Sequence, residues 1–186
     1  MMEIEKKYRL TADRMSRIKN LLEESGAKFL GDDFEENIIF GGGSLKENAK
    51  VLRIRKTQDR AILTLKIPVE SYSGMKHRLE HETGVTNADT LNEILTELGF
   101  SPRLIYEKRR ATWHFRNVEV VLDELPFGLY MEVEGSVTAI REAEILLDLD
   151  DLEVEHLPYP RLTAQHGVKT GSTVAARFPK DEQPKS

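Results

Sequence analysis

The 186-residue chain contains no cysteine. That excludes disulfides, thiolate metal centres and a cysteine nucleophile, and it suits a reducing compartment. Positive charge is not in excess either. The 27 lysines and arginines face 32 aspartates and glutamates, a net charge of −5, which argues against a general nucleic-acid binder. No apolar run approaches the roughly 18 residues that cross a bilayer as a helix. The opening MMEIEKKYRL has no apolar core of the kind that marks a secretion signal. A soluble cytoplasmic protein is expected. Its length, at about 150 residues per domain, leaves room for one domain.

Familiar catalytic signatures are also missing. The five histidines, at 77, 81, 114, 156 and 166, show no metal-ligand spacing. Gly41-Gly42-Gly43 is not followed by the Gly-Lys-Ser/Thr of a phosphate loop, and no Ser/His/Asp set is visible. His81 alternates onto an apolar strand face and reads as structural. His114 is placed where it could face an interior. Trp113 reads as core.

What is present is periodicity. Three segments have helical spacing: Thr11–Ser25, Asn87–Leu98 and Thr138–Leu149. Candidate strands cover 2–9, 33–40, 50–57, 60–67, 77–84, 103–110, 111–116, 118–124 and 129–135, some of them as one bent strand. Short turns between them indicate antiparallel pairing, so the chain reads as α+β with one dominant antiparallel sheet. From 170 to 186 the composition is small and polar, and a disordered tail is expected after a domain spanning 1–169.

Alternation along these strands sorts charge from apolar residues. Glu3, Glu5, Lys7 and Arg9 share a face. So do Arg53 and Arg55, backed by Leu52 and Ile54. Thr64 and Lys66 align, as do Arg78, Glu80 and Glu82, then Lys108 and Arg110, and then Glu132 and Glu134; Asp123 lies opposite Leu122. Arg109 points the other way. One reading is a charged face turned to solvent. Against it, like charges at i and i+2 repel unless opposite charges or ions lie between them. Paired carboxylates suit a hard divalent cation, Mg²⁺ or Mn²⁺. Paired Arg and Lys suit an oxygen-rich anion. A closed sheet with this face inward would bring both sets together around a metal-chelated polyphosphate.

The segment Glu3-Ile4-Glu5-Lys6-Lys7 resembles the E-x-E-x-K signature of the CYTH superfamily, the triphosphate tunnel metalloenzymes. Leu52-Arg-Ile-Arg55, Leu63-Thr-Leu-Lys66, Arg78-Leu-Glu-His-Glu82, Tyr106-Glu-Lys-Arg-Arg110, Val121-Leu-Asp123 and Met131-Glu-Val-Glu134 follow in the family's order. The resemblance spans about residues 2 to 167. It implies an eight-stranded antiparallel β-barrel, the triphosphate tunnel, with helices outside. It implies Glu3, Glu5, Asp123, Glu132 and Glu134 at a Mg²⁺ or Mn²⁺ ion. Lys7, Arg53, Arg55, Lys66, Lys108 and Arg110 are implied as the phosphate-holding bases, and Glu3, Glu5, Lys7, Lys66 and Asp123 as the catalytic set. It leaves Glu80 and Glu82 without a role. The expected activity is hydrolysis of ATP, inorganic triphosphate or thiamine triphosphate. Class IV adenylate cyclisation and polyphosphate binding without turnover are the alternatives. Pro158-Tyr-Pro-Arg-Leu162 matches the close of the cyclase branch loosely, through Tyr159. A homodimer is left open.

Overall fold

A computed structural model of the chain describes residues 2–69 and 76–183, without the side chains of residues 2, 3, 76 and 77. In chain order the elements are β1 (Met2–Leu10), α1 (Ala12–Glu24), β2 (Lys28–Gly41), β3 (Val51–Lys56), β4 (Ala61–Pro68) and β5 (Lys76–Val85). Then come α2 (Ala88–Glu97), β6 (Ser101–Phe115), β7 (Val118–Leu125) and β8 (Gly128–Gly135). The chain continues through α3 (Val137–Leu146), α4 (Tyr159–His166), β9 (Val168–Thr170) and β10 (Thr173–Ala176).

Local chemistry fixes the helix starts. Thr11, Asn87 and Ser136 each accept backbone N–H groups of the first turn of α1, α2 and α3. Beyond α1, Gly26 takes a left-handed φ of 72°, which glycine adopts without a Cβ penalty.

The strands run in the order β2-β3-β4-β5-β1-β8-β7-β6, and β6 pairs back onto β2. Every pairing around this ring of eight is antiparallel. The long β2 makes closure possible. It bonds to β3 along Glu36–Phe40 and to β6 from Lys28 to Gly41, with a register shift between Phe29 and Gly31. Gly31 sits there at φ 139°, which suits a bulge that bends the strand.

The apolar faces of most barrel strands point outward, and helices cover them. Ile18 and Leu22 of α1 and Ile140, Ala143 and Leu147 on the α3 side pack on Tyr8, Trp113, Val120, Met131 and Val133. Leu95 of α2 packs on Ile38, Phe40, Leu52 and Ile54. A third cluster gathers Ile39, Tyr106, Leu125, Tyr130, Tyr159 and Leu162 where α4 meets the barrel.

Several expectations change. The strand expected at 33–40 begins at Lys28, and the two expected at 103–110 and 111–116 are one, β6. The third helix ends at Leu146 rather than Leu149. The segment from 170, expected as a disordered tail, instead adds β10 in parallel to β6 and β9 antiparallel to β10. Burial of Ala176 and Phe178 holds it down. Buried Glu107, on the outer face of β6, accepts hydrogen bonds from Arg177 Nη1 at 2.6 Å and the Phe178 amide at 2.9 Å. His81, expected in an apolar layer, is exposed and borders the interior cavity. No described helix is long and apolar enough to cross a membrane.

Candidate functional site

Closing the ring turns the polar face of each strand inward, onto a cavity of about 640 Å³. The cavity is lined by Glu5, Lys7, Arg53, Arg55, Lys66, Lys108, Arg110, Glu132 and Glu134, all of them expected from alternation. Arg78, Glu80 and Glu82 line it too. Asp123 is fully buried behind this lining. Glu3 lies in β1 with its backbone opposite Arg78, but its side chain falls outside the described residues. Arg109 points outward, stacked over the Phe178 ring at 4.3 Å.

The charges fall into two contiguous halves. Strands β6, β2, β3 and β4 bring Lys108, Arg110, Arg53, Arg55 and Lys66. Strands β5, β1, β8 and β7 bring Glu80, Glu82, Glu5, Glu132, Glu134, Glu119 and Asp123, with Lys7 and Arg78 among them. Register sets three of these acids side by side: Glu119 opposes Glu134, and Glu134 opposes Glu5.

Ion pairs join the halves. At the β6–β7 seam Arg110 grips Asp123 with both ends, Nε to Oδ1 at 2.8 Å and Nη2 to Oδ2 at 2.6 Å, and Nη2 also reaches Glu132 Oε2 at 2.7 Å. Tyr159 of α4 donates its hydroxyl to Asp123 Oδ2 at 2.7 Å. At the β4–β5 seam Lys66 pairs with Glu80, and Thr64 Oγ1 donates to Glu82 at 2.7 Å. Arg53 Nη2 lies 3.6 Å from that same Glu82. Lys7 Nζ is 3.6 Å from Glu132 and 3.7 Å from the centre of the Tyr159 ring, a cation–π contact.

Burial and neighbours shift these groups in opposite directions. Burial, with Arg110 nearby, lowers the Lys108 ammonium, although Asp123 and Glu35 oppose the shift. Burial and adjacent Arg53 likewise lower Arg55. Burial works against the Arg110 cation as well, but Asp123, Glu35 and Glu132 overcome it and its pKa rises. Burial raises the Tyr159 phenol, reinforced by Asp123 and Glu132, so its hydroxyl stays a donor.

Two members of this site escaped the sequence reading as functional groups. Glu119 follows the same alternation as Asp123, four residues earlier on β7. Glu35 is buried, 2% exposed, among Lys108, Arg55 and Arg110. In Asp32-Asp33-Phe34-Glu35-Glu36, acids stand on both strand faces, so alternation gives no signal there.

A hard cation needs several carboxylate or other oxygen donors. The donor chemistry around β1, β7 and β8 fits that demand. No group of three or more His, Asp or Glu among the described residues is arranged to hold a metal. Both oxygens of Glu132 face bases, and Asp123 is held by Arg110 and Tyr159.

The CYTH domain family model matches residues 1–156. A Methanocaldococcus jannaschii protein whose name proposes an adenylate cyclase is 28% identical over 152 residues, covering 80% of this chain and 85% of the relative. The solved structure of the PH1012 protein from Pyrococcus horikoshii OT3 superposes with a TM-score of 0.75 at 26% identity, over 86% of this chain and 98% of that one. A Hippeastrum protein, described as an adenylyl cyclase candidate with a dominant triphosphatase activity, superposes at 0.63 with 18% identity, over 84% of this chain and 90% of that one. At that identity the likeness is one of fold.

Proposed function

The chain belongs to the CYTH family, and on that premise we propose that it is a divalent-metal-dependent enzyme that binds a triphosphate in its tunnel and hydrolyses it. The observation that carries this reading is the division of one closed cavity into a basic half and an acidic half. An anion chain fits the first and a hard cation the second, and a metal–triphosphate complex contains both.

The roles follow from placement. Arg53, Arg55, Lys66, Lys108 and Arg110 grip and align the phosphate chain, the guanidinium groups through paired N–H donors. Asp123 keeps Arg110 in one plane, and Tyr159 keeps Asp123 in place. Lys7, projecting from the acidic half, supplies a cation beside Glu132. Glu5 and Glu134, with Glu132 and Glu3, are the residues that would hold Mg²⁺ or Mn²⁺, while Asp123, buried with both oxygens engaged, serves Arg110 instead. Such an ion would polarise phosphoryl oxygens and neutralise the charge that builds on them. Glu132 is engaged by Arg110 and Lys7, and a phosphate chain that attracts those bases makes it available. Little covalent work falls to the protein, since alignment and charge stabilisation carry phosphoryl transfer.

Hydrolysis leads because the lining is charged along most of its length and water is the other reactant; a nucleoside is not needed. The second reading is cyclisation of ATP, favoured by the name of the Methanocaldococcus relative. The experiment is incubation with ATP, inorganic triphosphate and thiamine triphosphate, each with Mg²⁺ or Mn²⁺ and with a chelator control, followed by chromatography. Orthophosphate without a cyclic product supports hydrolysis and ranks the substrates. Cyclic AMP with pyrophosphate establishes the cyclase instead. No product from any of the three defeats both and leaves polyphosphate binding.

A further inference from the structure

The basic half of the tunnel carries one acid that the proposed chemistry does not use. Glu35 projects from the middle of β2, in register opposite Lys108 of β6. Its Oε2 lies 3.3 Å from Lys108 Nζ and 3.8 Å from Arg55 Nε, and its Oε1 lies 4.0 Å from Arg110 Nε. These separations are long beside the 2.6 and 2.8 Å of the Arg110–Asp123 pair. One carboxylate is shared among three bases and captured by none. Its position is set from its own strand instead, where Asn37 Nδ2 donates to Oε2 at 3.2 Å.

We propose that Glu35 is a positioning residue: a resident counter-anion that keeps Lys108, Arg55 and Arg110 assembled in the empty tunnel and competes with the incoming phosphate chain for them. The proposal rests on the triphosphate reading of the tunnel. Bases packed this closely in a water-poor site repel one another. With no anion bound, Glu35 offsets that repulsion. It stays ionised, because Lys108, Arg110, Arg55 and Arg53 together outweigh the effect of burial and hold its carboxyl well below the usual range. Once a phosphate chain arrives, the same fixed charge is a like charge beside it. Glu35 therefore weakens anion binding and speeds the departure of phosphate products.

The test uses the full chain in chelator at low ionic strength, with inorganic triphosphate as the probe. Calorimetry reads the affinity, and the thermal midpoint is recorded with and without the probe. Glu35→Gln keeps the shape and loses the charge. It is expected to melt lower than wild type without anion and to bind triphosphate about tenfold more tightly or better. Its midpoint gain on adding triphosphate then exceeds that of wild type. Equal or weaker binding by Glu35→Gln overturns the inference while leaving the tunnel reading intact. Absence of triphosphate binding by wild type overturns both. Should Glu35→Gln not fold, the double variant Glu35→Gln/Arg55→Gln removes one charge of each sign and is expected to regain a folded, near-wild-type midpoint without anion. A purely structural hydrogen bond at Glu35 is not repaired by deleting Arg55, so failure of the double variant to recover also overturns the inference.

Discussion

The two halves of the tunnel are built by the same rule and end in opposite electrostatic states. In both, a strand puts apolar side chains under a helix and polar ones inside. In the half made by β6, β2, β3 and β4 those inner residues are mainly Arg and Lys, and in the half made by β5, β1, β8 and β7 mainly Glu and Asp. Ion pairs cross the seams between them, with Arg110 on Asp123 at one and Lys66 with Glu80 at the other. Within each half like charges adjoin. Glu119, Glu134 and Glu5 form a row, and Arg53 and Arg55 stand two residues apart with Lys108 and Arg110 nearby. Ion pairs across the seams thus tie the halves together, while Glu35 stands among the bases of one half.

Variants in the two walls separate their roles. The largest effect is expected from the acidic wall: Glu5→Gln lowers kcat/KM for the hydrolysed triphosphate by about a hundredfold or more with Mg²⁺ or Mn²⁺. Binding of triphosphate in chelator is not weakened by it. A Glu5→Gln enzyme with wild-type metal-dependent rates removes that wall from metal binding. Next comes Arg55→Gln in the basic wall. In chelator, calorimetry should give triphosphate binding weaker by about tenfold to a hundredfold, and unchanged affinity takes β3 out of the anion grip.

A smaller effect tests an acid outside both walls. Glu144 of α3 accepts from Tyr8 Oη at 2.5 Å and pairs with Lys6. Burial opposes its ionisation, but those two partners prevail and its carboxyl is lowered. A lowered carboxyl adds stability above the ordinary glutamate value near about 4.3, and that stability is lost as pH falls through the lower folded value. The wild-type melting midpoint should therefore drop more steeply than that of Glu144→Gln between about pH 5 and pH 3; parallel curves count against the pairing. The smallest effect belongs to Arg109, which alternates outward between Lys108 and Arg110 and pairs with Glu124 at 2.9 Å. Arg109→Ala should cost less than about 1 kcal/mol of stability and leave kcat/KM unchanged. A large loss of kcat/KM would mean that both faces of β6 serve the reaction.

The strand alternation was legible where inward charges have outward apolar neighbours, as Arg53 and Arg55 have Leu52 and Ile54. That was enough to place most of the lining. Ring closure was expected from the resemblance and not from alternation, since the β2–β6 bonds join distant segments and depend on a bend at Gly31. Glu35 was missed because Glu36 beside it faces the other way, so charge no longer marks a face. Helix α4 was hidden by Pro158-Tyr-Pro, which reads as irregular, although proline is tolerated in a first helical turn. The strands after residue 167 were missed because composition weighs many small polar residues against a few apolar ones. Ala176 and Phe178 suffice when a buried Glu107 accepts from the Phe178 amide and from the Arg177 side chain.

The place of β1 in the ring has a consequence for how the protein is made. Strand β1 precedes the other barrel strands in the sequence, yet it bonds to β5 on one edge and to β8 on the other. Its final partner is synthesised only after β2 to β7, and contacts this far apart in sequence form slowly. Until then β1 holds Glu5 and Lys7 on an open edge, where another chain's strand could pair. Assembly of the barrel and assembly of the charged cavity are one late event, so a nascent chain stalled before Gly128 has neither.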